Sequence, residues 1–329
     1  MGKFLLFIMI LWFGGTVGFA QTVYICSGSG STKYHIKSNC RGLSTCTGDI
    51  LSITEQQALR DNRTLCKVCG GKRASSATVN RPNSLFGGNV TSARPVPKKV
   101  DYSKIELAKD KFVVKADIVQ HSGYTCSYNE SWLISNWVAW DLTPTKVNGT
   151  CERPQRPFEP DPYVGGKSGT HRDYSNSGYS RGHMAPAADM KWSEEAMNES
   201  FYLSNVCPQK ASLNTSIWNR LEEKTRNLAR KGNHLYICCG PIVESGHATI
   251  GENGIAVPSY FFKVICKNIN GKWSAIGFIF PNDECKGGMF DYAISVDEVE
   301  KITGIDFFYN LPDNIENEIE SSWVQKDWQ

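Results

Sequence analysis

The stretch from Tyr179 to Glu222 most constrains what this chain can become. It reads YSRGHMAPAADM, then a connecting segment, then YLSNVCPQKASLNTSIWNRLE. His183, Asn205, Asn214, Glu222 and two arginines therefore fall within about one supersecondary unit. No motif for a nucleotide cofactor, a serine triad or a haem occurs elsewhere in the sequence. We interpret this stretch as the chemical centre of the protein.

The first twenty residues predict a secretory signal peptide. Lys3 precedes an apolar run, and small residues then lead to a cleavage site after Ala20. An uncleaved membrane anchor is the alternative, and no later stretch is long enough to span a bilayer. We expect the mature protein to be exported, to the periplasm or the medium, without stable membrane association.

Residues 21–73 predict a small Cys/His-rich module. TVYIC is a strand candidate, and SITEQQALRDN resembles a helix that begins with a capping box of Thr54 and Gln57. A Cys-x-x-Cys pair that closes the module, with a histidine and a cysteine upstream, has the composition of a structural zinc site. The ligands would be His35, Cys40, Cys66 and Cys69, which leaves Cys26 and Cys46 for a disulfide. Two disulfides are the alternative, because export favours them.

The charge of the chain is unevenly spread. Residues 74–100 are rich in Ser, Asn, Gly and Pro and predict a linker, and residues 101–329 form the large domain. Residues 21–100 hold twelve Lys/Arg against three Asp/Glu, whereas residues 101–329 hold twenty-three against thirty. A polyanion-binding surface in the large domain must therefore be local, and the N-terminal segment could add attraction for phosphates.

The seven cysteines of the large domain are odd in number, so at least one is free or pairs between chains.

The large domain predicts an α+β fold with a central, mostly antiparallel sheet. Its strand candidates are WLISNWVAWDL (132–142), HLYICC, SYFFKVICK and WSAIGFIF, with a turn at Asn270-Gly271 between the last two. Ser212 to Lys231 is the clearest helix, capped by Ser212 and stopped by Gly232. Residues 143–178 predict a loop, and residues 311–329 predict an acidic tail.

The residue types in the central stretch suit phosphodiester chemistry. Gly182 lets the backbone come close to a ligand, and Arg181 can neutralise a phosphate. His183 has an ordinary pKa of about 6.5, so it can take a proton from water at neutral pH. A structural or solvated histidine is the simpler alternative for His183 alone.

The predicted helix adds a set of oxygen donors. Asn214 and Glu222 are eight residues apart, about 12 Å of rise in a regular helix, so both cannot grip one ion directly. A cation on the Asn214 oxygen could keep its waters, with Glu222 reaching one of them, as is usual for magnesium. The alternative is that Asn214 caps the helix and that Glu222 and Arg226 form a surface ion pair.

Together the segments RGHMAPAADM, LSNVCPQ and LN-x3-W-x2-LE-x3-R resemble the sugar-non-specific DNA/RNA endonuclease family of ββα-metal fold, which includes endonuclease G. The resemblance covers roughly residues 101–310, and SNWVAW and RPFEPDP also match the order of the family. The N-terminal module is similar to small Cys/His modules attached to bacterial secreted nucleases. The sequence therefore predicts a ββα-metal nuclease domain preceded by a small Cys-rich module.

The resemblance implies a role for each matching residue. His183 would be the general base, Asn214 the single protein ligand of a hydrated Mg²⁺ or Mn²⁺ ion, and Glu222 would hold a metal-bound water. Three arginines would bind the scissile phosphate, and an asparagine would support the site; these are Arg156, Arg181, Arg226 and Asn205. The family also implies cleavage that leaves the phosphate on the 5′ side.

One position departs from the family pattern. The family motif usually begins Asp-Arg-Gly-His, whereas this chain has Ser180. A serine can hydrogen-bond but supplies no negative charge, so the departure bears on rate and not on the type of reaction. The expected function is an exported, Mg²⁺-dependent endonuclease of low sequence specificity, with nucleic acid as its partner. The alternatives are a catalytically weak nucleic-acid-binding protein on a nuclease scaffold and a phosphoesterase for small substrates.

Overall fold

The computed structural model describes residues 22–27, 31–54, 58, 63–70, 101, 103–110 and 116–329. The chain divides into two compact units, Met1–Thr78 and Val79–Gln329. The predicted signal peptide and the predicted linker lie outside the described residues. Among the residues that are described, no helix is both long and apolar enough to cross a membrane.

The first unit is built on a small sheet. Its elements are β1 (Thr22–Cys26), β2 (Lys33–His35), β3 (Ile50–Thr54), β4 (Thr64–Leu65) and a short helix α1 (Lys67–Gly70). The strand order is β3-β1-β2-β4, and the predicted TVYIC strand is confirmed as β1. The helix predicted over SITEQQALRDN is wrong at its beginning. Its first three residues belong to β3, where Thr54 pairs with Thr22. Residues 55–57 and 59–62 of that prediction lie outside the described part of the chain.

Few apolar side chains hold this module together. Its buried apolar cluster consists of Val23, Ile25, Tyr34 and Ala58. A disulfide joins Cys26 to Cys46, as the sequence predicted. A unit of this size buries too little apolar surface to be stable on that alone and usually needs disulfides or a metal.

The second unit contains the rest of the secondary structure. Its strands are β5 (Ala108–Asp110), β6 (Asp117–Gln120), β7 (Thr125–Asn129), β8 (Ile134–Leu142), β9 (Ser180–His183), β10 (Val206–Gln209), β11 (His234–Ile242), β12 (Thr249–Ile250), β13 (Ile255–Ala256), β14 (Tyr260–Ile269), β15 (Lys272–Pro281), β16 (Ala293–Ile294) and β17 (Ile305–Phe307). Its α-helices are α2 (Pro144–Val147), α3 (Glu194–Glu199), α4 (Ala211–Leu213), α5 (Asn219–Arg230), α6 (Val296–Thr303) and α7 (Asp313–Ser321).

A seven-stranded antiparallel sheet forms the centre of the second unit. Its strand order is β16-β15-β14-β11-β8-β7-β6. The four predicted strands of the large domain are confirmed as β8, β11, β14 and β15. Asn270 and Gly271 both have positive φ, 51° and 85°, as a two-residue hairpin turn requires. The α+β fold with a mostly antiparallel sheet is therefore confirmed.

Both faces of this sheet are covered, which explains the nearly continuous apolar sequence of its strands. On one face, Trp140 and Phe261 belong to the same buried cluster as Trp218 from the predicted helix. On the other face, Trp137 and Phe262 pack in a second cluster with α6 and α7. Burial of a large apolar side chain contributes about 1.5–3 kcal/mol, so these layers fix the position of the predicted helix.

The central stretch folds as two antiparallel strands followed by a helical segment. Strand β9 pairs with β10, and α4, a π-helical turn Asn214–Trp218 and α5 follow in sequence. The predicted single helix Ser212–Lys231 is therefore corrected in two ways. It begins at Ala211, without a side-chain cap from Ser212, and Ser216 has non-helical dihedral angles inside it.

Two segments predicted to be irregular contain regular structure. Helix α2 and a 3₁₀ turn over His171–Tyr174 lie within the predicted loop 143–178. The predicted acidic tail contains α7, and Trp328 near its end is only 2% exposed. The Lys267 ammonium lies 4.4 Å from the centre of the Trp328 ring. The end of the chain is therefore packed against the sheet.

Candidate active site

The pairing of β9 with β10 places the Arg-Gly-His segment. His183 lies opposite Val206, and Arg181 lies opposite Pro208. Gly182 lies against the side chain of Gln209, because a Cβ atom at position 182 would be 2.2 Å from Gln209 Oε1. A glycine is therefore required at position 182 because a buried side chain of the neighbouring strand lies against it.

His183 lies in an aromatic setting at the end of β9. The centres of the Phe158 and Phe201 rings are 5.0 Å and 5.3 Å from the centre of its imidazole. Its Nε2 atom is buried and has no hydrogen-bond partner among the described residues. Burial, aided by the charge of Arg153, lowers the pKa of His183 to about 3. The imidazole is therefore neutral at physiological pH, and an unprotonated ring nitrogen can accept a hydrogen bond from water.

Asn205 holds the chain that follows His183. Its Oδ1 accepts a hydrogen bond of 2.9 Å from the Ala185 backbone N–H. Its Nδ2 donates to the carbonyl oxygens of Ala185 and Ser200, both at 2.9 Å. Because Asn205 is fully buried, loss of these bonds would leave several backbone groups unsatisfied. This geometry agrees with the supporting role that the sequence predicted.

Asn214 begins the π-helical turn, five positions after β10 ends. The hydroxyl of Thr215 bonds the Ala211 carbonyl at 2.8 Å, and the hydroxyl of Ser216 bonds the Ser212 carbonyl. Such bonds compete with the helical pattern, and π-helical turns recur at functional sites. The Asn214 side chain is half-buried and makes no hydrogen bond within the described residues. It is therefore available as a ligand.

Glu222 and Arg226 lie about two and three helical turns further along the segment than Asn214. Arg226 Nη1 is 3.1 Å from Asp189 Oδ1 and 3.9 Å from Glu222 Oε2. Burial, aided by the nearby Asp189 carboxylate, raises the pKa of Glu222 to about 7, although Lys263 opposes the shift. The alternative of a surface ion pair between Glu222 and Arg226 is thus wrong, since Arg226 is 8% exposed and its nearer partner is Asp189.

Lys263 lies behind these groups in the centre of β14. It is 1% exposed, and its ammonium is 4.1 Å from the centre of the Trp218 ring and 5.6 Å from that of Trp140. A buried cation over an indole face is stabilised by the ring quadrupole. It also holds down the pKa of Glu222 and of Asp189 against the effect of burial.

The remaining predicted arginines have partners of different kinds. Arg181 Nη2 donates a 2.9 Å hydrogen bond to the His171 carbonyl, and the guanidinium lies 5.6 Å from the centre of the Tyr174 ring. Arg156 forms an ion pair with Glu159. Arg153, which the sequence did not single out, lies 5.0 Å from the centre of the Phe201 ring. Arg153 thus shares an aromatic neighbour with His183.

Several buried polar atoms of this region have no partner among the described residues. They are Arg181 Nε, His183 Nε2, Gln209 Nε2 and Gln209 Oε1. Buried polar groups are normally hydrogen-bonded, and each exception needs an explanation. Their concentration on β9 and β10 indicates a site that a polar ligand completes.

The known proteins most similar to this chain are nucleases. The profile of the DNA/RNA non-specific endonuclease family matches residues 104–314. The chain belongs to the DNA/RNA non-specific endonuclease family. Membership makes it a metal-dependent endonuclease by family and confirms the resemblance seen in the sequence. The match begins after the N-terminal module and includes all the predicted catalytic residues.

Several of the proteins similar to this chain are named as mitochondrial nucleases. The chain is 36% identical over 258 residues to "Nuclease EXOG, mitochondrial" of Xenopus laevis, which covers 73% of this chain and 71% of that protein. It is 37% identical over 204 residues to the Danio rerio protein of the same name, covering 57% of this chain and only 60% of that protein. A structure of the EndoG/EndoGI complex matches with a TM-score of 0.55 at 29% identity, covering 59% of this chain and 86% of that one.

Three residues of this endonuclease site were missing from the sequence interpretation. Asp189 lies within the quoted APAADM segment, yet only the fold brings it to Arg226. Lys263 comes from a strand that reads as core, and Arg153 lies in a loop beside another arginine. Asp189 and Lys263 each carried a usable signal, because a charged residue in an otherwise apolar segment is seldom buried without a partner.

Proposed function

We propose that this endonuclease is exported, depends on Mg²⁺, and hydrolyses phosphodiester bonds of DNA, RNA or both with little sequence specificity. The observation that carries the proposal is the state of His183. It is neutral and has an unpartnered buried nitrogen at the end of β9, within a ββα unit. In this role His183 takes a proton from the attacking water, and the phosphate stays on the 5′ side of the product.

The residues of the site fit a hydrated Mg²⁺ or Mn²⁺ ion. Asn214 would hold the ion directly, since its amide has no partner in the described part of the chain, and Glu222 would hold one of its waters. Burial raises the pKa of Glu222 to about 7, and a cation bound nearby would favour the ionised carboxylate. When bound, the ion acts as a Lewis acid that stabilises charge on the phosphate and the leaving oxygen.

The arginines divide into two roles. Arg181 and Arg156 are the candidates for binding the scissile phosphate, because a planar guanidinium can donate two hydrogen bonds to one phosphate. Arg226 is buried against Asp189, so we assign it to holding Glu222 in place and to supplying fixed positive charge. Asn205 positions the backbone that follows His183.

Low sequence specificity follows from the kinds of contact available. Contacts to phosphate carry no direct information about base sequence. The sequence contains no helix-turn-helix, zinc-finger or RNA-recognition motif that would read bases. Export rests on the predicted signal peptide, and N-terminal sequencing of protein from the periplasm or medium should begin at Gln21.

The test compares wild type with His183→Ala on supercoiled plasmid and on structured RNA. Wild type should cleave with Mg²⁺ and stop on addition of EDTA, and His183→Ala should lose roughly 10²–10⁴ of the rate while it still binds DNA. His247→Ala is the matched control, since His247 contacts Trp132 instead. Normal cleavage by folded His183→Ala would refute the assignment. Binding without cleavage by wild type would favour a binding protein, and faster turnover of a small aryl phosphodiester would favour a phosphoesterase.

A further inference from the structure

Four potential metal ligands converge in the first unit. Their donor atoms all lie within 4.8 Å of one another, and the residues are His35, Cys40, Cys66 and Cys69. The two sulfurs of Cys40 and Cys66 are 3.9 Å apart, and the Cys69 sulfur is 3.9 Å from Nδ1 of His35. We propose that these residues form a closed tetrahedral zinc site that, together with the Cys26–Cys46 disulfide, replaces a hydrophobic core in this module.

Two donor separations are close to those of a tetrahedron around zinc. Zinc–sulfur bonds of about 2.3 Å place two sulfurs on one edge of a tetrahedron about 3.8 Å apart. The separation of 3.9 Å between the Cys40 and Cys66 sulfurs agrees with this value, and the 3.9 Å from the Cys69 sulfur to Nδ1 of His35 is a few tenths of an ångström longer than a sulfur–nitrogen edge. A disulfide requires sulfurs about 2.05 Å apart. Cys40, Cys66 and Cys69 are unbridged, whereas Cys26 and Cys46 in the same module are joined.

The backbone around the sulfurs supplies the support that thiolate ligands need. The Gly42 N–H points at the Cys40 sulfur at 3.4 Å, and the N–H groups of Val68 and Cys69 donate to the Cys66 sulfur. Such donors stabilise the charge on metal-bound thiolates and orient them. The two loops, Cys40-x-Gly42 and Cys66-x-x-Cys69, thus present their sulfurs in the same manner.

The site has no room for a substrate. A Cβ atom at Gly42 would lie 2.7 Å from His35 Cε1 and 2.9 Å from the Cys66 sulfur. Three of the four ligands are buried, and Cys69 is half-buried. Zinc sites with four protein ligands and no open position are structural. The metal would therefore link β2, the turn over Arg41–Leu43 and α1, without a part in hydrolysis.

The need for such a link follows from the size of the module. The second buried cluster of the module consists of Leu43 and the cysteines Cys26, Cys40 and Cys66. Without metal, these thiols and the imidazole would contribute little to stability. With metal, binding free energy becomes folding free energy, as in other small zinc modules.

The test uses the full-length protein and elemental analysis. Wild type should contain about one zinc ion per chain, and Cys69→Ser and Cys40→Ser should lose it. Two variants serve as controls that should keep the zinc: Asn214→Ala, which removes the proposed catalytic metal ligand, and Cys285→Ser, a free thiol of the second unit. Substitution by Co²⁺ in wild type should give the intense absorption of a tetrahedral thiolate site, a readout that needs no variant to fold.

A second measurement reports on the structural role. Removal of zinc with a chelator should expose residues 21–73 to limited proteolysis, and restored zinc should protect them. The proposal is overturned if wild type carries no zinc and takes none up after mild reduction, or if Cys69→Ser keeps full zinc content. A peptide map that joins any two of Cys40, Cys66 and Cys69 would also overturn it.

Discussion

Arg226 Nη1 lies 3.1 Å from Asp189 Oδ1, and this ion pair joins the helix that carries Glu222 to the loop that follows His183. The other oxygen of Asp189 accepts a 3.0 Å hydrogen bond from Nε1 of Trp140 in β8. One carboxyl group thus connects the sheet, the His183 loop and helix α5. Burial raises the pKa of the Asp189 carboxyl, and the Arg226 guanidinium opposes the shift.

Asp189→Asn should therefore destabilise the protein and weaken catalysis together. The amide can still accept from Trp140, but the buried guanidinium loses the nearer of its two carboxylate partners. Loss of a buried partner costs about 3–5 kcal/mol in comparable sites. Urea denaturation measures the loss, and Asp283→Asn, at an exposed position, is the control. A loss below about 1 kcal/mol would mean that the pair does not tie these elements together.

Asn214→Ala should change the response to metal. If Asn214 supplies the one direct protein ligand, its removal should abolish activity or move the Mg²⁺ titration to much higher concentration. Asn227→Ala is the matched control, because Asn227 lies on the same helical segment and bonds Arg230 at the surface. Equal Mg²⁺ titrations for wild type and Asn214→Ala would remove Asn214 from the site.

The requirement for metal should depend on pH through Glu222. With a pKa of about 7, Glu222 is mostly protonated at pH 6 and mostly ionised at pH 8 in the absence of metal. Ionisation favours a hydrated cation, so the Mg²⁺ concentration for half-maximal activity should fall roughly tenfold from pH 6 to pH 8. His183 is neutral throughout this range. The dependence should disappear in Glu222→Gln, and its persistence there would assign it to another group.

The sequence predicted the sheet of the second unit because its signals are local. Apolar runs of strand length and the pair Asn270-Gly271 determine β14 and β15 without reference to the rest of the chain. The motif around His183 was equally visible, since its residues are close together in the sequence. The disulfide between Cys26 and Cys46 could be predicted because the other three cysteines of the module had been assigned to the zinc site.

The remaining features depend on contacts between distant segments. The π-helical turn arises where the Thr215 and Ser216 hydroxyls bond carbonyls one turn back, and apolar periodicity does not detect this. Lys263 lies in a strand whose neighbouring residues are apolar. Its burial as a cation is explained only by the packing of Trp218 against its ammonium group. The C-terminal segment was predicted to be a tail because most residues of α7 are acidic or polar and only a few are apolar. Those few apolar residues nevertheless pack in the second cluster.

The close approach of β10 to β9 gives a prediction that two substitutions test together. Gly182→Ala would place a Cβ atom 2.2 Å from Gln209 Oε1 and 2.7 Å from Gln209 Cβ. Gln209 is fully buried and cannot swing away, so the strands must separate and His183 must move with them. We expect a loss of about 1–3 kcal/mol in unfolding free energy, as for other overpacked sites, and a larger proportional loss of turnover.

Removal of the obstructing carboxamide should repair part of this defect. Gln209→Ala removes the contact at 2.2 Å with Oε1 but leaves the one at 2.7 Å with Cβ. It also removes two buried polar atoms that have no partner among the described residues. The double variant Gly182→Ala/Gln209→Ala should therefore be more stable than Gly182→Ala alone, with a coupling energy of about 0.5–3 kcal/mol. Stability should recover further than activity if Gln209 also contacts the substrate or its water. Purely additive effects would show that Gly182 is required for a contact other than the one with Gln209.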